Sequence, residues 1–466
     1  MNRVLVLGNG PTAHHFADRL RHHGHEEPLT LLGTEPGPTH HQPFLDALLA
    51  PADLRLPPPP GLGVHTDTRV TGIDRAQRRV RALVDGTETL FPYDTLVLAL
   101  EARPTVPGLP GITAPDGRLA PGIVVPRTAA DRDRISGESA VVLGGGPQAV
   151  EAASALAARG TRTTLVCDRP HPLDERLGAT CAALLTEQLE RAGVTVLGGR
   201  TAVRRTPGRL HLDDGTVLRA DTLLLCTGAT PDIQLAFTAG LLADGGGVVV
   251  DAQLRTSDPR VHAIGVGVEH DGRATAGSGA ALEQADALAR TLTGRDGAYR
   301  AAPPVLRLRT RAADVCCIGS PSDFEGPDTR LVTLTDKVDR RYARLALRDE
   351  RVVGAVLFGL PQAIASISRC HRLGQQLPSD VLGLLLGWPP RPPSDAVEPG
   401  AEALVCLCNS VTEKSLRQAW QEGARTVPAL ATATRATTGC GGCGERVREL
   451  CKAWAPGPRT GLREAA

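Results

Sequence analysis

Ala140-Val141-Val142-Leu143-Gly144-Gly145-Gly146-Pro147-Gln148-Ala149 is a short apolar run broken by three glycines. Residues 150–158 then read as a helix opening with Glu151. The next apolar run, 163–167, ends at Asp168-Arg169. Strand, glycine turn, helix, strand and acid form the arrangement that binds a dinucleotide. The glycines admit a pyrophosphate to the helix N-terminus, and the acid takes ribose hydroxyls.

The chain carries this pattern twice. Residues 3–7 run into Gly8-Asn9-Gly10-Pro11-Thr12-Ala13, residues 14–23 read as a helix and 29–32 as a strand, and Glu35 follows Gly33-Thr34. Glu35 stands about 25 positions beyond the turn, the separation at which an acid meets the ribose. One glycine turn can serve chain packing alone, but two in matching strand and helix context are hard to obtain by accident. The fold class expected is therefore α/β with two Rossmann-like dinucleotide-binding domains.

Further elements follow from the apolar spacing. A hairpin is expected over 80–84 and 89–91 around Asp85-Gly86, and a buried strand over 95–99. The glycine- and proline-rich stretch 103–111 marks a crossover to the second unit. There, helix 179–192 has Leu184, Leu185 and Leu189 on one face, strand 194–197 follows, and strand 221–225 enters Thr227-Gly228. Residues 251–267 return to the first unit, and an alanine-rich helix over 276–292 covers it. The first domain is thus read as discontinuous, 1–112 and 240–300, with the second at 113–239. From Leu306 the character changes to strand-like runs at 314–319, 330–334, 342–348 and 352–358 with a helix at 364–373, an α+β domain over 301–386. Pro57 to Pro60 reads as a stiff turn, and the proline-rich residues 387–400 as a linker.

Beyond the linker, residues 401–455 hold Cys406-Leu407-Cys408 and Cys440-Gly441-Gly442-Cys443. Cysteines one residue apart must hold their sulfurs close, and the second pair does so across a turn with no side chains. Four thiolates brought together form a zinc or an iron–sulfur site, and spacing does not decide between them. Ser410 or Thr412 can cap a helix over 413–422, in which Leu416 and Trp420 repeat at i,i+4, and Gly423 ends it in a helix-turn-helix reading. A last helix over 445–453 carries Val447, Leu450 and Cys451 on one stripe. A domain of about 50 residues is marginal on hydrophobic burial alone, so a metal centre in its core makes thermodynamic sense.

Composition excludes several classes. Lys+Arg 52 against Asp+Glu 51 in 466 residues leaves a net charge of +1, and no basic tract calls for nucleic acid or an anionic membrane. The arginines at 307, 309, 311, 340 and 341 read as solvated faces. Of the eleven cysteines, Cys167, Cys181, Cys226, Cys316, Cys317 and Cys370 are scattered, as free and mostly buried thiols would be. The chain enters a strand directly after Met1-Asn2-Arg3, and its apolar runs are shorter than a membrane span, so a cytoplasmic protein without a membrane segment is expected.

Taken together, Gly8-Asn9-Gly10 with Glu35, Gly144-Gly145-Gly146 with Glu151, Thr227-Gly228-Ala229-Thr230-Pro231, Val261 to Gly265 leading to Glu269-His270 and Glu283-Gln284, and Val353-Gly354-Ala355-Val356 resemble the flavin-dependent pyridine nucleotide:disulfide-type reductases, which have a glutathione-reductase-like fold. The branch resembled is that at the front of the large subunit of NAD(P)H nitrite reductase and in the electron-transfer subunit of assimilatory nitrate reductase. The tail, with Thr438-Gly439-Cys440-Gly441, resembles the small helical [2Fe–2S] domain of bacterioferritin-associated ferredoxin, on whose ligands Cys406, Cys408, Cys440 and Cys443 fall.

The resemblance implies that Gly8, Gly10, Pro11, Thr12, Ala13 and Glu35 hold the ADP half of FAD. It likewise implies that Gly144, Gly146, Pro147, Gln148 and Glu151 hold NADH or NADPH, with Gly228 and Gly265 completing the cofactor sites. Asp168 would favour NADH, whereas Arg169 could neutralise the 2′-phosphate of NADPH. Electrons would pass from NAD(P)H by way of FAD to the cluster and on to a molybdenum-dependent nitrate reductase catalytic subunit or a similar acceptor. A homodimer through the third domain is the assembly it allows. No catalytic side-chain nucleophile or base is needed, so His262 and His270 are expected to be structural or flavin-edge residues. The chain departs from the family at Leu100-Glu101, at Val266 and at His40-His41-Gln42-Pro43, all on the flavin side. These departures motivate a second reading, a flavin-free scaffold that carries only the cluster and docks onto a catalytic partner.

Overall fold

Val4–Leu7 is buried at every position and pairs in parallel with Leu29–Leu32 on one side and Thr95–Ala99 on the other. A strand covered on both faces needs no polar position, which is why it reads as an unbroken apolar run. The computed structural model describes residues 3–35, 61–99, 102–127, 131, 133–275, 277–386, 404–406, 411–437 and 443–454. The first sheet runs Val261–Ile264, Thr95–Ala99, Val4–Leu7, Leu29–Leu32, Gly63–His65, parallel throughout. Residues near 261 do return to this unit. Helix α1 (Pro11–His22) lies over the sheet and places Phe16 and Leu20 in one core with Ala285 and Leu288 of the helix Gly277–Leu292.

The second sheet repeats the plan as Val194–Leu197, Arg162–Val166, Ser139–Leu143, Thr222–Leu225, Ile123–Val124. Helices α2 (Pro147–Ala158) and α3 (Ala179–Arg191) pack on it, and the helix Gly277–Leu292 is hereafter α4. Both α1 and α2 start three residues before the expected 14 and 150. Gly10 and Gly146 are the N-caps, and Pro11 and Pro147 open the helices with a φ already helical.

Two three-stranded antiparallel sheets went largely unread in the sequence. One joins Thr68–Asp74, Arg79–Val84 and Thr87–Pro92, of which only the hairpin was expected. The other joins Ala202–Thr206, Arg209–Leu212 and Val217–Arg219. Their strands are half-exposed and mix arginine and threonine with few apolar residues, so no continuous run marks them. Between the two units, Ala102–Pro104 pairs antiparallel with Ala229–Pro231.

A five-stranded antiparallel sheet follows in the order Val305–Arg309, Asp314–Ile318, Arg351–Phe358, Arg341–Arg348, Arg330–Asp336. Period two splits its residues between two cores. Val315 and Cys317 face the core of the second dinucleotide unit. Cys316 and Ile318 face Ile364 and Ile367 of α5 (Pro361–Arg372). Two arginines expected on solvated faces are engaged instead. Arg307 pairs with Asp314 and donates to the Val315 carbonyl at 2.8 Å, and Arg340 donates to Gln188 Oε1 of α3 at 2.7 Å.

The tail has its own core, in which Cys406, Val411, Leu416, Trp420, Leu430, Cys443, Val447 and Leu450 meet. It is built from α6 (Glu413–Gln421), α7 (Val427–Thr434) and α8 (Gly444–Trp454). Of the two candidate caps for α6, Thr412 does the capping, its hydroxyl accepting from the Ser415 amide at 3.1 Å. Thr426 caps α7 in the same way at 3.3 Å. Pro57 to Pro60, the 387–400 linker and Ser410 lie outside the described residues. No described helix is long and apolar enough to cross a membrane.

Candidate redox site

At the end of Val4–Leu7 the chain turns through Gly8 at φ 129°, where a Cβ would collide with the carbonyl oxygen of Ala99 in the neighbouring strand. Only glycine lets the two strand ends come this close. Gly10 caps α1 without any side chain, and Pro11 offers no N–H, so the amides of Thr12 and Ala13 are left at the mouth of the turn. An uncapped helix N-terminus behind a glycine turn is a seat for a pyrophosphate. Asn9 packs against Gly33, where a Cβ would leave it no room, and its Oδ1 lies 2.7 Å from His14 Nε2. Glu35 is exposed just past Leu29–Leu32, where a ribose can reach it.

Gly265 ends the strand Val261–Ile264 at φ 109° and is buried. Its N–H donates to Gln284 Oε1 at 2.9 Å, and Gln284 Nε2 donates to Thr275 Oγ1 at 2.8 Å. Gln284, fully buried on α4, therefore ties the Gly265 amide to the Thr275 hydroxyl across this loop. Gln284 stands in the Glu283-Gln284 pair of the family resemblance, which implies no part for it. The signal was there, since a glutamine on the covered face of a helix demands partners. Val266 follows half-buried, whereas Leu100, Glu101 and residues 40–43 lie outside the described residues. Backbone approach at Gly8 and Gly265 together with the open α1 terminus fits the ADP half of FAD.

The second turn copies the first. Gly144, at φ 132°, faces the Cys226 carbonyl, with which a Cβ would collide, while at Gly146 a Cβ would meet nothing within 4 Å. Gly146 caps α2 without a side chain and Pro147 follows. The Gln148 side chain turns away, donating to the Pro126 carbonyl at 2.9 Å, and Glu151 lies half-buried in the second turn of the helix. Asp168 and Arg169 are exposed at the strand end, and the Arg169 guanidinium is paired with Glu175. Gly228, at φ 98°, accepts the Thr105 amide at 3.0 Å, and Thr227 Oγ1 donates to the Thr105 carbonyl at 2.6 Å. Burial pushes the neighbouring Cys226 thiol up to about 12, so it is a packing residue. Burial also lowers His262, within its strand, and His270 meets the Tyr299 ring edge-on at 5.1 Å, both structural positions.

In the tail, Cys406 ends Leu404–Cys406 and Cys443 immediately precedes α8, and the structure brings both into one apolar core. Cys443 Sγ accepts the Thr437 amide at 3.2 Å, from a backbone held at φ 71°. A sulfur that accepts a backbone N–H inside an apolar shell suits a metal-bound thiolate. Cys408 and Cys440 lie outside the described residues.

Comparison with known proteins agrees with this geometry. A family model for pyridine nucleotide-disulphide oxidoreductase matches residues 2–278, and one for the BFD-like [2Fe-2S] binding domain matches residues 404–453. The nitrite reductase [NAD(P)H] large subunit of Klebsiella oxytoca is 31% identical over 408 residues, covering 84% of this chain and 41% of that protein. The assimilatory nitrate reductase electron transfer subunit of Bacillus subtilis (strain 168) is 26% identical over 483 residues, covering 97% and 59%. The chain thus spans about half the length of such relatives. Among solved structures, the covalent putidaredoxin reductase–putidaredoxin complex superposes with a TM-score of 0.70 at 23% identity, over 83% of this chain and 98% of that one. FAD, NAD(P)H and a [2Fe–2S] cluster are the cofactors these families imply. The chain belongs to the pyridine nucleotide-disulphide oxidoreductase family and ends in a BFD-like [2Fe–2S] domain.

Proposed function

We propose that this chain is an electron-transfer subunit passing electrons from NADH, by way of FAD and the [2Fe–2S] cluster, to the catalytic subunit of a molybdenum-dependent nitrate reductase. One observation carries the reading. Two glycine turns, each opening onto an uncapped helix N-terminus, share a polypeptide with a core walled by Cys406 and Cys443. Bound FAD supplies the exchange between a two-electron donor and one-electron steps, and the cluster supplies a one-electron relay. The residues of the chain do the positioning. Gly8, Gly10, Pro11, Thr12, Ala13, Glu35 and Gly265 seat the flavin nucleotide; Gly144, Gly146, Pro147, Glu151 and Gly228 seat the reductant; Cys406, Cys408, Cys440 and Cys443 hold the irons.

The pairing of Arg169 with Glu175 favours NADH, because it engages the cation that a 2′-phosphate would need and leaves Asp168 to the ribose hydroxyls. The nitrate reductase partner follows the relative from Bacillus subtilis, and assembly as a homodimer through the α+β domain over 301–386 belongs to the same proposal. The flavin-free scaffold keeps one described observation, Val266 after Gly265.

The test is the visible spectrum of the anaerobically purified chain with iron and sulfide analysis. Flavin and cluster absorbance should both bleach on adding NADH, and more slowly with NADPH. Cluster absorbance without flavin selects the scaffold, and a colourless zinc protein overturns both.

A further inference from the structure

Arg435 stands where its own chain segment would prefer another residue. It caps the C-terminus of α7 at φ 65° and ψ 10°, the left-handed conformation that glycine and asparagine adopt readily and arginine does not. The capping bond itself, from the Arg435 amide to the Ala431 carbonyl at 2.8 Å, could be made by any residue but proline. What arginine adds is its guanidinium, and that group leaves the tail altogether. Nε lies 3.1 Å from Asp18 Oδ2, and Nη2 lies 2.8 Å from His15 Nδ1. Both partners are on α1, the helix whose N-terminus faces the first glycine turn.

The contact is braced from behind. A guanidinium can only donate, so His15 Nδ1 accepts, and His15 Nε2 lies 3.4 Å from Asp286 Oδ1 of α4. Arg19 of α1 pairs with the same carboxylate. Burial works to raise the Asp286 carboxyl, but His15, Arg19 and Arg435 together hold it down at about 2. Arg435, His15 and Asp286 thus form a row of polar groups running from the tail through α1 to α4. On the tail side the connection to the cysteines is short. Two residues after Arg435, the Thr437 amide donates to Cys443 Sγ.

We propose that Arg435 is the positioning residue that docks the iron–sulfur domain onto α1 of the first dinucleotide unit, holding the two cofactor-bearing domains at the separation from which electrons cross. This deepens the electron-transfer reading and rests on it for its kinetic consequence, though the docking itself does not depend on that reading.

The experiment uses the full, anaerobically prepared chain. Arg435→Asn keeps a residue that tolerates the left-handed cap, so the tail stays folded, and the paired exchange Arg435→Asp with Asp18→Arg restores opposite charges across the contact. Small-angle scattering should show a larger maximum dimension for Arg435→Asn and recovery in the exchange pair. In stopped-flow mixing with NADH, flavin bleaching should keep its parental rate while cluster bleaching slows by about tenfold, the loss expected for one charge-assisted contact. The exchange pair should recover most of that rate. Scattering and cluster bleaching both unchanged in Arg435→Asn would overturn the proposal, as would equal slowing of the flavin and cluster phases. If the parent chain proves to lack flavin, the electron-transfer reading fails, and the scattering result still decides the docking.

Discussion

Gly144 and Gly146 stand two residues apart in one turn, yet their substitution should have opposite consequences. Alanine at Gly144 would have to adopt φ 132° with its methyl against the Cys226 carbonyl, so Gly144→Ala should cost about 3 kcal/mol of stability. Gly146 has φ −82° and open space where a Cβ would go. Gly146→Ala should therefore leave the melting temperature unchanged or slightly raised. Its methyl would stand between the α2 amides and the pyrophosphate, and the KM for NADH should rise about tenfold. Thermal melting and steady-state kinetics on the two variants separate the roles. A loss of stability in Gly146→Ala would mean that both glycines serve the fold alone.

At the scale of elements, α4 matters less as a cover for the first sheet than as the carrier of Gln284. Gln284→Leu would strand the buried Gly265 N–H and deprive the Thr275 hydroxyl of its donor, at a cost of about 1–3 kcal/mol. Because the disturbed backbone lies at the end of Val261–Ile264, the variant should also release FAD during desalting, read as free-flavin fluorescence in the filtrate. Retention equal to the parent protein would show that the loop is held by other contacts. What the sequence disclosed and what it hid divides along the same physical line. Strands such as Val4–Leu7 and Thr95–Ala99 are buried on both faces, so burial alone writes them as apolar runs with sharp ends. Thr68–Asp74 and Ala202–Thr206 present much of their length to water, and nothing in their composition demands a strand until their partners are known. The helix starts at Pro11 and Pro147 were hidden because the glycine turn was read as loop through Ala13 and Ala149, although proline belongs at the opening of a helix. The Arg435 contacts could not be read at all. Their partners are 420 residues apart for His15, and the local rule at that position argues for a different side chain.

For the molecule as a whole, the distribution of cores predicts how it comes apart. The five-stranded antiparallel sheet turns one face into the core of the second dinucleotide unit, so those two should unfold together. Among the described residues the tail shares no core with either, and its own core includes Cys406 before α6 and Cys443 before α8. With about 50 residues it buries too little apolar surface to be stable by itself, and metal ligation is the term that makes up the difference. Calorimetry of the loaded protein should then show a transition belonging to the tail, distinct from that of the nucleotide-binding body. Stripping the iron, or making Cys443→Ser, should abolish the tail transition and open residues 411–437 to protease. The body should melt where it did before, and flavin bleaching by NADH should keep its rate. A tail transition that survives iron removal would mean that Trp420, Leu416 and Val447 suffice to fold it, and that the cysteines wall this core without sustaining it.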